Sequence, residues 1–354
     1  MSNEQQTTTY RFEFHPYRRP FKHPLTTHHG VWDVREGIIL RLKHETGRVG
    51  WGEIAPIPWF GSETIEQALD FCRQLPPILT TETIFSIPPE LPACQFGFES
   101  AWEWREGENI SDVKMDVGTR GRGDAQKDFH GFAVNDSSRV SNLNSKIQNL
   151  KPKITYSHLL PAGEAVLQSW QTPWTQGSRT FKWKIGVVAI EEELRIFNQL
   201  IESLPPSAQL RLDANGGLTQ QQAHHWLKAA DEVGMVEFLE QPLPPEQFDV
   251  MLEMSHQYLT PLALDESVAT LNQLEDCYQR GWRGIFVIKA AIAGSPRRLR
   301  HFCQNHKIDA VFSSVFESAI ARKAVLQLAA ELTSPSRAVG FGVHHWFENN
   351  PESK

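Results

Sequence analysis

The sequence predicts an α/β protein in which a parallel (β/α) barrel follows an N-terminal α+β segment. Three observations predict it. From about residue 154 onward, short apolar runs alternate with helical stretches, which is the signature of βαβ units and a parallel sheet. No GxGxxG follows any run, so an open dinucleotide-binding sheet is disfavoured. Five consecutive runs each carry a charge at or near the C-terminal end, the end at which barrel enzymes place their active sites.

The elements follow in order. Tyr10 to His15 and Gly37 to Leu42 alternate apolar and polar residues, and HETG at His44 to Gly47 reads as a turn returning through Val49 to Ile54. SETIEQALDFCRQL has a capping-box start at Ser62 and helical spacing, and a second helix fits Cys94 to Arg105. Residues 106–153 are polar, rich in Gly, Ser and Asn, and without a period; they read as a flexible insertion or long loop. The GTRGRG within them follows no strand and is not a phosphate loop. The first barrel strand falls near Ile154 to Leu160, followed by runs at 180–187, 209–216, 236–242, 261–267, 284–290, 310–316 and 338–344. Eight such strands fit a closed barrel better than an open sheet. The chain thus divides into 1–105, 106–153 and 154–345.

Composition narrows the function classes. The chain has 354 residues, 40% hydrophobic and 22% charged, which allows a core of normal size. A net charge of −7 and a pI near 6.1 leave no basic field for nucleic acid. No apolar run reaches the ~18 residues that a membrane span needs. Cys72, Cys94, Cys277 and Cys303 form no CxxC pair and read as reduced thiols. With the polar start MSNEQQTTTYRFEFHPYRRP, they point to a cytoplasmic protein.

The rim charges carry the chemistry. From Lys184 to Asp213, Glu240, Asp265 and Lys289 the steps are 29, 27, 25 and 24 residues, each about one βα unit. Lys182 and Lys184 stand two apart and face the interior, with Phe181 and Trp183 toward the helices. Arg211, Asp213 and Asn215 share one face by the same rule, as do Asp265 and Ser267. A lone strand-end aspartate is usually a helix cap or a salt-bridge partner, and a lone lysine a solvated edge. Five in succession are not, although Lys182 suits a supporting role. Three carboxylates from adjacent strands cannot be buried together uncompensated, and a hard divalent cation such as Mg²⁺ supplies the compensation. Other candidates are weaker. His28–His29 and His344–His345 lack metal-site spacing, and Ser313–Ser314 lack a GxSxG context but could hydrogen-bond a carboxylate. Trp59, in APIPWFGSET, could face a ligand.

At these residues the sequence resembles the enolase superfamily, in its muconate-lactonising subgroup. The carriers are KWK at 182–184, RLDANG at 211–216, FLEQPL at 238–243, ALDES at 263–267 and VIKA at 287–290. The N-terminal strands and EIAPIPWFG resemble the same family's capping domain. The resemblance implies a modified (β/α)7β TIM-like barrel with an α+β N-terminal capping domain joined by C-terminal residues. It also implies that Asp213, Glu240 and Asp265 bind Mg²⁺, or another divalent cation such as Mn²⁺, which holds a small-molecule carboxylate. Lys184 then removes the proton α to that carboxylate and Lys289 steadies the intermediate from the opposite face. Lys182 is the neighbouring cation that disfavours protonation of Lys184. Arg211 and Asn215 orient the acids, and Ser313 and Ser314 contact a succinyl carboxylate.

Within the subgroup the resemblance runs nearest to the dehydratases of menaquinone and phylloquinone biosynthesis, where Lys184 would also protonate the departing hydroxyl. AVFSSVF lacks the seventh-strand histidine of mandelate-racemase-like members, and AVGFGVHHWF lacks the D-x-D of dipeptide epimerases. Muconate cycloisomerase and N-acylamino-acid racemase stay open, since the same lysines and metal serve them. A non-catalytic metal-dependent binding protein is the alternative of another class. Specificity would come from Pro20 to Gly30 and Pro56 to Thr64.

Overall fold

Alternating apolar side chains build the N-terminal sheet of this computed structural model, which describes residues 8–27, 30–104, 154–334, 337–341 and 347. The 106–153 insertion with its GTRGRG, and the pairs His28–His29 and His344–His345, lie outside the described residues. Strands β1 (Thr9–Thr27) and β2 (Gly30–His44) pair antiparallel; β3 (Val49–Ile54) adds to β2 and β4 (Ile78–Thr80) to β1. Ile38, Leu40 and Leu42 alternate along β2 and are buried. The helix Pro92–Glu103 lies against β3 at a distance that only glycine allows. A Cβ on Gly52 would stand 2.0 Å from the Gly97 carbonyl oxygen, and one on Gly50 1.8 Å from that of Ala101.

The helix Ile65–Gln74 starts two residues later than the Ser62 capping box implies. Thr64 and Gln67 form the box, because Ser62 Oγ is taken by the Ile57 N–H at 2.7 Å. Glu63 caps a different helix, accepting from Ala93 N at 3.0 Å and Cys94 N at 2.7 Å.

The barrel strands are β5 (Ser157–Leu160), β6 (Thr180–Lys184), β7 (Gln209–Asp213), β8 (Val236–Glu240), β9 (Leu262–Leu264), β10 (Ile285–Ile288) and β11 (Ala310–Phe312). They lie side by side in chain order, all parallel. Val339 and Gly340 close the ring as an eighth stave, bridging to Tyr156 on one side and Ser313 on the other. Inside, Phe238, Ala263, Ile285, Val287 and Val311 form a packed plug. Outside, the helices seal the sheet; Trp183 meets Trp226, which meets Phe197, through edge-on ring contacts. No described helix is long and apolar enough to cross a membrane. The four cysteines are free and buried.

Candidate active site

Strand alternation places the functional groups just above the plug. Phe238, Val287 and Val311 face inward, so the inward residue two further along each chain is Glu240, Lys289 or Ser313; Asp265 follows the end of β9 and joins them through its ion pair with Lys289. The register sets the level: Lys184 pairs with Asp213, and Asp213 with Glu240. Neighbouring strands lie about 4.8 Å apart, so a lysine and two acids form one row. Lys182 Nζ stands 2.8 Å from Asp213 Oδ2 and 2.7 Å from Glu240 Oε1. Lys289 Nζ bonds Asp265 Oδ1 and lies 3.9 Å from the centroid of the Phe60 ring.

The electrostatics describe a site short of positive charge. Burial raises the Glu240 pKa well above the carboxylate range, and the charge of Asp213 adds to this against Lys182. Burial opposes the charge of Lys182, yet Asp213, Glu240 and Asp265 together hold its pKa above the lysine range. Glu266 is pushed up to about 7 by burial and by the charge of Asp265. Its Oε2 is buried without a hydrogen-bond partner, while Oε1 accepts from Asn215 Nδ2 at 3.1 Å. Among the described residues no group of three or more His, Cys, Asp or Glu side chains is gathered tightly enough to be read as a metal site. Two ammonium groups stand among the acids instead. The set still fits a hard divalent cation: Asp213, Glu240 and Asp265 are buried carboxylates, and with Glu266 they outnumber the amines of Lys182, Lys184 and Lys289.

The other sequence candidates separate. Asn215 has a left-handed φ of 44°; its N–H donates to Asp213 Oδ1 at 3.1 Å and its side chain reaches Glu266, so it links two acidic loops. Arg211 turns to the barrel floor, where Nε bonds Glu237 Oε2 at 2.7 Å. Glu237 also takes Arg337, which pairs with Asp309, so this chain of charges ties the eighth stave to the rest. Asp265 and Ser267 do not share a strand face, because β9 ends at Leu264 and Glu266–Val268 is a 3-10 turn. Ser314 Oγ donates to Glu317 at 2.8 Å and accepts from Phe316 N at 3.0 Å, whereas Ser313 stays on the inward face.

Several residues escaped sequence reading. Gln241, at φ 36°, accepts from the backbone N–H of Asp265 (2.9 Å) and Ser267 (3.2 Å) and so fixes the Asp265 loop. A polar residue inside FLEQPL was its only signal. Arg35 is buried and donates to the carbonyls of Ala55, Pro56 and Val315, joining the 55–62 loop to the seventh-strand loop. Glu53, at the end of β3, accepts from Tyr17 Oη and from Ser318 and Ala321. Phe347 pairs with Phe21 of β1.

Residues 165–352 match the family described as enolase C-terminal domain-like, and residues 7–104 match the MenC N-terminal domain. The o-succinylbenzoate synthase of Thermosynechococcus vestitus is 39% identical over 95% of this chain and 93% of its own length. The chain belongs to the o-succinylbenzoate synthase family of the enolase superfamily. The crystal structure of o-succinylbenzoate synthase from Thermosynechococcus elongatus BP-1, complexed with Mg in the active site, superposes with a TM-score of 0.78. That pair shares 39% identity and covers 96% of this chain and 95% of the other. An N-succinyl Arg/Lys racemase from Bacillus cereus shares the fold at a TM-score of 0.69 and 16% identity, over 98% and 89% of the two chains. Synthase-family membership therefore accounts for the N-terminal sheet as well as the barrel.

Proposed function

We propose that this chain is an o-succinylbenzoate synthase, a Mg²⁺-dependent hydro-lyase that dehydrates 2-succinyl-6-hydroxy-2,4-cyclohexadiene-1-carboxylate in menaquinone or phylloquinone biosynthesis. The observation that carries this is the Lys184–Asp213–Glu240 row, with Lys289 and Asp265 beside it, in a chain 39% identical to a synthase across 95% of its length. When bound by Asp213, Glu240 and Asp265, Mg²⁺ supplies the Lewis acid that holds the substrate carboxylate and stabilises the charge developing beside it.

Lys184 takes the proton from the carbon next to the carboxylate and returns it to the departing hydroxyl. One C–H and one C–O bond break, a ring double bond forms, water leaves, and the product ring is aromatic. Lys289 presents its ammonium from the opposite stave. Lys182 stays protonated between Asp213 and Glu240, a neighbouring cation that disfavours protonation of Lys184. Ser313 meets the succinyl carboxylate, while Ser314 and Glu317 hold its loop. The N-terminal unit caps the barrel and shapes the pocket through Arg35 and the 55–62 loop. The buried free thiols suit a cytoplasmic enzyme.

The test is the dehydration assay on the full chain with Mg²⁺. Wild type forms o-succinylbenzoate and Lys184→Ala loses turnover by at least about 10³-fold. Full activity in that variant removes the assignment of the base. Deuterium exchange at the α-carbon of an N-acylated amino acid, with no loss of water from the cyclohexadiene, would favour a racemase instead.

A further inference from the structure

We propose that Phe60 is a positioning residue for Lys289: its ring face holds the ammonium in place across the site from Lys184. The inference rests on the dehydratase reading of this site. Phe60 comes from the N-terminal unit and Lys289 from the end of β10, and the Nζ–centroid distance is 3.9 Å. The lysine side chain is only 13% exposed.

The ring is delivered by a stiff loop. Phe60 N donates to the Ile57 carbonyl at 2.9 Å, Gly61 N to that of Pro58 at 3.1 Å, and Ile57 N to Ser62 Oγ at 2.7 Å. Arg35 clamps the carbonyls of Ala55 and Pro56 just before it. Trp59 packs edge-on against Trp32 with centroids 5.1 Å apart. Gly61, at φ 100°, turns the chain against Ala269 of the loop that follows Asp265. The loop is thus fixed to its own sheet and to the barrel loop next to the acid that Lys289 binds.

The chemistry of the partner matters. An ammonium has three N–H bonds, and Asp265 takes one of them. A second carboxylate at the position of Phe60 would add a charge to an already acid-rich site. An aliphatic side chain there would desolvate the ammonium and return nothing. An aromatic face attracts the cation without taking its proton or coordinating a metal. The remaining N–H directions are left for the ligand, and Lys289 is in place only where the N-terminal unit is seated.

The test replaces Phe60 with mono-, di- and trifluorophenylalanine, which keep the shape and drain the ring face in steps, and with Leu, Tyr and Trp. Full-length protein carrying ¹³C-labelled lysine is used with Mg²⁺ present. The Lys289 ε-protons lie upfield in wild type because the ring current acts on them, and lose that shift in Phe60→Leu; this readout does not need turnover. The kcat for dehydration falls stepwise along the fluorine series, to about tenfold below wild type for the trifluoro ring and for Leu. KM changes less than about twofold, and Tyr and Trp restore kcat. An absent ring-current shift in wild type, or a flat kcat across the series, overturns the inference while leaving the dehydratase reading intact. A wild type that shows the shift yet releases no water refutes the reading, and the inference falls with it.

Discussion

Replacing Glu53 with alanine should unseat the N-terminal unit from the barrel. Glu53 is fully buried at the end of β3. Its carboxylate accepts from Tyr17 Oη at 2.5 Å, Ser318 N at 2.9 Å, Ser318 Oγ and Ala321 N at 3.3 Å. The last three belong to the start of the helix Ala319–Leu332, so one side chain caps a barrel helix from another sheet. Burial raises the Tyr17 pKa and the charge of Glu53 adds to it, so the phenol remains a donor. Hydrogen bonds to a charged group contribute about 1.5–3 kcal/mol each, and an orphaned buried donor costs about 1–3 kcal/mol. Ser318 Oγ still caps Ile320 N at 3.2 Å, which limits the loss at the helix. Removing the acid also deprives the buried Arg35 of a nearby anion. Together these give about 3–5 kcal/mol, the range for breaking a buried ionic group. Urea unfolding of Glu53→Ala, followed by tryptophan fluorescence and circular dichroism, measures it. Glu53→Gln keeps one acceptor and should lose about half as much. A Glu53→Ala variant within about 1 kcal/mol of wild type, or a glutamine variant as unstable as the alanine one, refutes the reasoning.

Three further outcomes follow from the same structure. Mg²⁺ at 100 times its Kd should stabilise the chain by about 2.7 kcal/mol, or about 4 °C in a thermal scan, and Asp265→Asn should remove most of that gain. Gly52→Ala should cost about 3 kcal/mol or more in denaturant titration, because the new Cβ meets a helix carbonyl oxygen that cannot rotate away. Burial works against the charge of Asp231, but Thr260 and Leu259 donate to it and its pKa is lowered overall. Its folded value lies below the unfolded one, so its contribution is complete above about pH 4 and fades as pH falls through the folded value. The stability gap between wild type and Asp231→Asn should close on acidification and not on going to alkaline pH.

The charges at the strand ends were more legible in the sequence than the residues that hold them in place. Charges at unit spacing on successive strands were readable because a barrel converts about one βα unit of sequence into one step around a rim. Lys184, Asp213, Glu240, Asp265 and Lys289 could be picked out without knowing any contact. Arg211 was harder. Its parity placed it inside, but nothing in RLDANG says whether the guanidinium rises to the acids or falls to the floor, and Glu237 decides that. Ser267 shows the complementary failure: alternation was carried past Leu264 into a 3-10 turn, where it has no meaning. Arg35, Glu53 and Phe60 act between units far apart in the chain. Arg35 meets Val315 and Glu53 meets Ser318 across more than 200 residues, a range over which local pattern holds no information.

The row of Lys184, Asp213 and Glu240 depends on a feature that no periodicity reveals. In a parallel pair, residues opposite each other share a face. Leu210 lies opposite Val236, and both point away from the interior, since Arg211 points in. Unbroken alternation from there would set Arg211 against Glu237 and turn Glu240 toward the helices. The register instead shifts by one, so Arg211 lies opposite Phe238 and Asp213 opposite Glu240. Glu237 is the extra residue, and a bulge of this kind re-aims side chains beside active sites. Here it does two things at once. It sends Glu237 to Arg211 and Arg337 on the barrel floor, and it brings Glu240 into line with Asp213. The ion network on the floor therefore pins the register that aligns the acids above it. The alignment of Asp213 with Glu240 is thus secured from below by the ion pairs of Glu237 with Arg211 and Arg337.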